Sequence, residues 1–118
     1  MKERVLGKHL IIELDGCQSR LLNNLRLIRK VLVGAAKAAG LKIVAKPILH
    51  QFKPQGVAGV LLLQISHITI HTWPEFGYAA VDIFICNESE LNQALDFFKQ
   101  VLKPKSVRIK EIYRGPEK

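Results

Sequence analysis

A chain of 118 residues with 18 Lys and Arg against 10 Asp and Glu, net charge +8, can bury one hydrophobic core but is too short to divide into several, so one domain spanning residues 1–118 is expected. No apolar run approaches the roughly 20 residues of a membrane-spanning helix, the charged start Met1-Lys2-Glu3-Arg4 reads as neither signal peptide nor targeting helix, and Cys17 and Cys86 form no CxxC pair, so a cytoplasmic protein with free thiols is expected. Arg20, Arg26, Arg29, Lys30 and Lys37 fall along one helical segment and Lys99, Lys103, Lys105, Arg108 and Lys110 in the last quarter; without a glycine-rich phosphate loop or an aromatic ladder they read as a solvated basic surface, not a nucleic-acid site.

The first element is a strand over residues 8–14, rich in β-branched residues and closed by Asp15-Gly16. Ser19 is positioned to cap a helix whose apolar residues Leu21, Leu22, Leu25, Ile28, Val31, Leu32, Ala35, Ala36 and Ala39 keep the helical period until Gly40. Strand character returns over 41–49. A turn at Lys53-Pro54-Gln55-Gly56 then leads into the apolar run Val57 to Leu63, which reads as a well-buried strand. His67 to Trp73 alternate strictly, and Tyr78 to Cys86 make the next strand after Pro74-Glu75-Phe76-Gly77. Asn87 with Glu90 resembles a capping box for a second helix bearing Leu91, Ala94, Leu95, Phe98, Val101 and Leu102, stopped by Pro104. Residues 105–113 give the last strand. The order predicts an α+β fold: a two-layer α/β sandwich, mostly antiparallel, with both helices on one face. Apolar residues on both sides of several strands predict that a second copy covers the other face, sheet to sheet or edge to edge, in a homodimer.

The stretch from Gln64 to Cys86 carries the chemistry. Ser66, His67, His71, Glu75 and Cys86 stand among β-branched residues where plain strand-building would use Thr, Lys or Val. Taken singly, each has an ordinary structural use: a turn serine, half-exposed strand histidines, a solvated glutamate and a buried thiol. Strand parity places His67, Thr69, His71 and Trp73 on one face.

The segments Leu6-Gly7-Lys8-His9-Leu10, Gly56-Val57-Ala58-Gly59-Val60, Ser66 through Glu75 and Gly77-Tyr78-Ala79-Ala80-Val81-Asp82 resemble the short prokaryotic S-adenosylmethionine decarboxylases, from Leu6 to about Gly115. The resemblance implies a proenzyme that cuts its own backbone at Ile65-Ser66 into fragments 1–65 and 66–118, Ser66 becoming a pyruvoyl group. That chemistry needs a hydroxyl beside its own preceding carbonyl and a proton carrier, and an imidazole is suited to the second role; the resemblance assigns it to His71. The pyruvoyl carbonyl then forms a Schiff base with the substrate amine and draws electrons as CO₂ leaves, in place of pyridoxal phosphate and without a metal. By the same resemblance Cys86 returns the proton, Glu75 meets the ribose hydroxyls and Phe52 stacks on the adenine. Cys17 stays structural, and His67 has no assigned role. The product would supply aminopropyl groups for spermidine synthesis.

Three positions depart from the family: Ile65 where Glu is usual, Ala58 where a serine assists processing, and Asn87 where Gly follows the cysteine. They keep two alternatives open, a pyruvoyl-dependent arginine or ornithine decarboxylase and a non-processing paralogue that acts as a binding or regulatory partner. Geometry adds a constraint. In a straight hairpin tipped by Ser66, His71 lies roughly 16 Å away at about 3.3 Å per residue. Either the chain near 64–67 folds back, or His67 or a second protomer approaches Ser66.

Overall fold

The computed structural model describes residues 5–86 and 91–117. Its elements are β1 (Gly7–Asp15), α1 (Ser19–Leu22), α2 (Leu25–Ala38), β2 (Ile48–Gln51), β3 (Val57–Leu62), β4 (His67–Trp73), a 3-10 turn (Pro74–Phe76), β5 (Tyr78–Ile85), α3 (Leu91–Leu102) and β6 (Ser106–Arg114). The strands form one six-stranded sheet in the order β2-β3-β4-β5-β1-β6, and every neighbouring pair is antiparallel. This is the expected two-layer α+β sandwich.

Alternation decides which face is core. Leu10, Ile12 and Leu14 of β1, Ile68 and Ile70 of β4, and Val81, Ile83 and Ile85 of β5 are buried and pack against Ile28, Val31, Leu32, Ala35 and Ala36 of α2 and Ala94, Phe98 and Leu102 of α3. The two long helices approach closely at Gly34, where a Cβ would run into the Phe97 ring. A side chain there would force that ring to move. No helix among the described residues is long and apolar enough to cross a membrane.

Two local expectations are corrected. The helix expected to run from Ser19 breaks at Asn23-Asn24: Asn24 is extended (φ −98°, ψ 101°), and its side chain accepts from Leu27 N at 3.1 Å, so it caps α2 while Ser19 caps nothing. Asparagine competes for backbone bonds in just this way, which makes it a better cap than helix interior. Strand character over 41–49 shrinks to a lone bridge from Ile43 to Leu63 and to β2 from Ile48 onward; Pro47, with no N–H to give, separates the two. The α2 stop stands where expected, with Leu41 N bonded to Ala36 O and Gly40 N to Lys37 O. The capping box at Asn87 and Glu90 lies outside the described residues.

The run Val57 to Leu62 is also not uniformly buried. Val57, Gly59 and Leu61 face the helices, but Val60 and Leu62 are 47% and 54% exposed on the opposite side. They belong to an uncovered face that also carries Ile48 from β2, His67, Thr69, His71 and Trp73 from β4, Tyr78, Asp82 and Phe84 from β5, His9 and Glu13 from β1, and Arg108 and Ile112 from β6.

Candidate active site

The chemistry-bearing residues gather at opposite ends of this open face. At one end is the β3–β4 hairpin tip, residues 63–66, closed by Leu63 N to Ser66 O at 2.9 Å and braced by Gln64 N to Lys42 O at 2.9 Å. The turn folds Ser66 inward to 6% exposure, and its Oγ has no hydrogen-bond partner. A buried hydroxyl normally finds one, so an unmatched one beside the preceding peptide carbonyl is a chemical signal. That carbonyl belongs to Ile65, and the Cys86 thiol at the end of β5 donates to it at 3.0 Å. Adjacent on the sheet, the His67 ring stacks on Phe84 (centroids 5.7 Å, interplanar 21°) and His9 meets the same ring edge-on at 6.3 Å. His9 Nε2 stands 3.4 Å from Asp82 Oδ1, whose other oxygen accepts from Thr69 Oγ1 at 3.2 Å.

At the other end a cavity of about 210 Å³ is lined by Phe52, Gln55, His71, Thr72, Trp73 and Glu75. The Trp73 ring stacks between His71 at 6.2 Å and Tyr78 at 5.4 Å. Phe52 meets His50 edge-on at 4.7 Å. Glu75 is carried on the 3-10 turn and exposed to the cavity. Beyond Tyr78 the face becomes charged: Tyr78 OH donates to Glu13, and Arg108 forks onto Asp15 with Nε to Oδ2 at 2.9 Å and Nη2 to Oδ1 at 3.2 Å. Burial, then the bond to Glu13, pushes the Tyr78 phenol up to about 12, while the Asp15 carboxylate raises Arg108 above its ordinary value.

Ser66, Ile65 and Cys86 thus form one cluster and Phe52, His71 and Glu75 another. The hairpin is straight, with Leu62 opposite His67 and Ala58 opposite His71 in one continuous register; the chain does not fold back. His71 therefore stands roughly 16 Å from Ser66 along β4, at about 3.3 Å per residue. Ala58 is a direct neighbour of His71 and not of Ser66. Cys17 is 6% exposed within the core, its thiol pushed up to about 11 by burial and by Asp15. No group of residues suited to holding a metal occurs among those described.

Sequence reasoning missed Gln55, Thr72 and the lining role of Trp73, and the contact of His50 with Phe52. Parity had placed Trp73 on His71's face, and the equal parity of His50 and Phe52 was the available signal for their contact.

The pattern of the S-adenosylmethionine decarboxylase family matches residues 8–115. The S-adenosylmethionine decarboxylase proenzymes of Caldicellulosiruptor saccharolyticus and Methanococcus maripaludis are 47% and 46% identical over 111 residues, covering 93% of this chain and 89% and 90% of theirs. The crystal structure of the adenosylmethionine decarboxylase from Aquifex aeolicus superposes with a TM-score of 0.87 at 37% identity, over 98% of this chain and 95% of that one. The Trypanosoma brucei enzyme shares the fold at 16% identity and a TM-score of 0.61, the match covering 86% of this chain but 44% of the longer one. By sequence pattern, by close relatives over nearly its whole length and by fold, this chain belongs to the S-adenosylmethionine decarboxylase family.

Proposed function

We propose that the chain is one domain that cuts itself at Ile65-Ser66 and then decarboxylates S-adenosylmethionine, supplying aminopropyl groups for spermidine synthesis. The observation that carries this reading is the Ser66 hydroxyl, buried and unpartnered, beside a carbonyl held by the Cys86 thiol. The Ser66 oxygen attacks the Ile65 carbonyl and the peptide becomes an ester. Cys86 polarises that carbonyl, as an oxyanion donor does. An imidazole then removes the proton from Cα of residue 66 so that the Cβ–O bond of the ester breaks, freeing the Ile65 carboxylate and leaving a dehydroalanine. The imine tautomer of that dehydroalanine takes up water and releases ammonia to give the pyruvoyl carbonyl. This site fits a pyruvoyl group made in place, because the hydroxyl to be consumed satisfies nothing else. Such a group supplies the electron sink that decarboxylation requires.

The remaining roles belong to side chains. Phe52 offers an aromatic face for adenine, Glu75 accepts from the ribose hydroxyls, and Cys86 delivers a proton to the substrate carbon that lost CO₂. His71 serves the cleavage, and the separation of the two clusters supports its coming from a second copy. Two open faces packed with the hairpin tip of each over the cavity of the other place Ser66 and Cys86 of one protomer against His71, Phe52 and Glu75 of its mate. The same packing covers Ile48, Val60 and Leu62, an exposed apolar stripe of the kind that marks an interface.

Intact mass tests the reading first. Purified protein resolves into a fragment ending at Ile65 and a longer one with a blocked N-terminus, and this material releases CO₂ from S-adenosylmethionine faster than from arginine or ornithine. A chain that stays whole after prolonged warming at neutral pH removes the decarboxylase reading in favour of a non-processing partner. Turnover of arginine alone reverses the substrate order. Restoring the absent hydroxyl with Ala58→Ser accelerates cleavage by up to the roughly 10²- to 10³-fold that one oxyanion donor provides elsewhere.

A further inference from the structure

An aromatic face orients a substrate only if the loop carrying it is held. The Phe52 ring is 42% exposed, so core packing does little to fix it. The loop closes on itself through Phe52 N to Gly56 O at 2.8 Å. Gly56 adopts φ +112°, a conformation that strains L residues, and a Cβ there would stand 3.1 Å from Thr72 O. These contacts shape the loop, whose ends are held in the sheet by the Gln51–Val57 pairing, but they do not tie it to the helices.

Beyond the β2–β3 pairing that flanks it, the loop is tied to the helical layer by one side-chain oxygen in the gap between α1 and α2. Asn23 Oδ1 accepts from Gly56 N at 2.8 Å and from Gln51 Nε2 at 2.9 Å, and the same Gln51 nitrogen donates to Gly56 O at 2.9 Å. Gly56 N can only donate, so the Asn23 atom facing it is the oxygen. Gln51, facing that oxygen and a carbonyl, must present its amide nitrogen. Asn23 thereby grips both ends of the segment that carries Phe52. The residue before it accepts from Thr72 Oγ1 (Leu22 O, 2.8 Å), and that hydroxyl in turn accepts from Val57 N at 2.9 Å. The helix break pins the loop and the strand wall of the cavity from a single turn of chain.

We propose that Asn23 is a positioning residue for substrate binding: through Gln51 and Gly56 it holds the Phe52 loop over the cavity shared with Glu75. This rests on Phe52 being the aromatic face for the substrate.

The test uses the self-cleaved enzyme and S-adenosylmethionine. Asn23→Ala raises KM about 3- to 10-fold, the scale of one or two hydrogen bonds lost from a held loop, with kcat within about twofold. Asn23→Asp keeps the accepting oxygen and recovers most of the loss. Gln51→Ala, at an exposed strand end, raises KM by a smaller factor and stands in for Asn23→Ala should that protein melt early. Because Asn23 acts through Phe52, adding Asn23→Ala to Phe52→Ala raises KM no further. Unchanged KM in Asn23→Ala and Gln51→Ala, or an additive double variant, overturns the clamp while leaving a Phe52 effect in place. Wild-type KM in Phe52→Ala overturns the aromatic-face reading, and the clamp with it.

Discussion

Placing Ser66 and His71 in different protomers predicts that two inactive chains repair one another. Ser66→Ala lacks the attacking oxygen and His71→Ala lacks the proton carrier, so neither cleaves alone. Within one chain the two residues are separated by roughly 16 Å of extended β4, whereas proton transfer needs groups within about 3 Å of one another. Mixed dimers from co-expression contain one site with both defects and one with neither, the intact site joining Ser66 of the His71→Ala chain to His71 of the Ser66→Ala chain. Random pairing at equal expression puts half of all chains in mixed dimers. About half of the His71→Ala chains should therefore cleave, and none of the Ser66→Ala chains. Different affinity tags let denaturing electrophoresis and intact mass assign the cut. If the His71→Ala chains stay whole in verified mixed dimers, the composite site is wrong and a residue of the same chain, His67 being nearest in sequence, must carry the proton.

Two further predictions concern stability. Thr72→Val preserves shape but deprives the buried Val57 N–H of its acceptor and Leu22 O of its donor; it should cost about 1–3 kcal/mol in urea unfolding of an uncleavable Ser66→Ala chain, and a loss under about 0.3 kcal/mol would show the bond to be replaceable. Cys17 is raised from 9.0 to about 11 and Tyr78 from 10.0 to about 12, so folding favours their neutral forms. Their contribution is complete below pH 9 and drains as pH climbs through 11 and 12. The denaturation midpoint should fall over that window, less steeply in Cys17→Ala, and an equal slope would show that Cys17 ionises without consequence.

The sequence announces whatever depends on period. β4 and β5 are legible because core and open faces alternate residue by residue, and α2 because its apolar stripe persists from Ile28 to Ala36. The break at Asn23-Asn24 was hidden because Leu21, Leu22 and Leu25 continue the helical stripe across it, while Asn24 turns out to cap α2 and Asn23 to bond a partner 33 residues away, Gly56. The run Val57 to Leu62 looked uniformly buried because its outward residues are apolar too, a pattern that in one protomer has nothing to pack against. The site residues came from a resemblance, and only their division between two ends of the sheet required coordinates. Spacing along β4 had already shown that a straight hairpin would separate Ser66 from His71; the register confirms the straightness.

The position of β1 in the sheet gives the proposed self-cleavage an unexpected consequence. Residues 1–65 would contribute β1, β2 and β3, and residues 66–118 would contribute β4, β5 and β6, yet β1 lies between β5 and β6, hydrogen-bonded to both. The severed pieces are interleaved, and neither retains a continuous sheet by itself. Before the cut, refolding is a first-order search by one chain; after it, two chains must meet, so recovery from denaturation becomes second-order and depends on concentration. If the chain is cut as proposed, the uncut form is the one whose refolding is unimolecular, and cleavage would exchange that capacity for an electrophile. An unfolded mature enzyme in a dilute compartment would tend to stay unfolded, and continued activity there would rely on newly made chains.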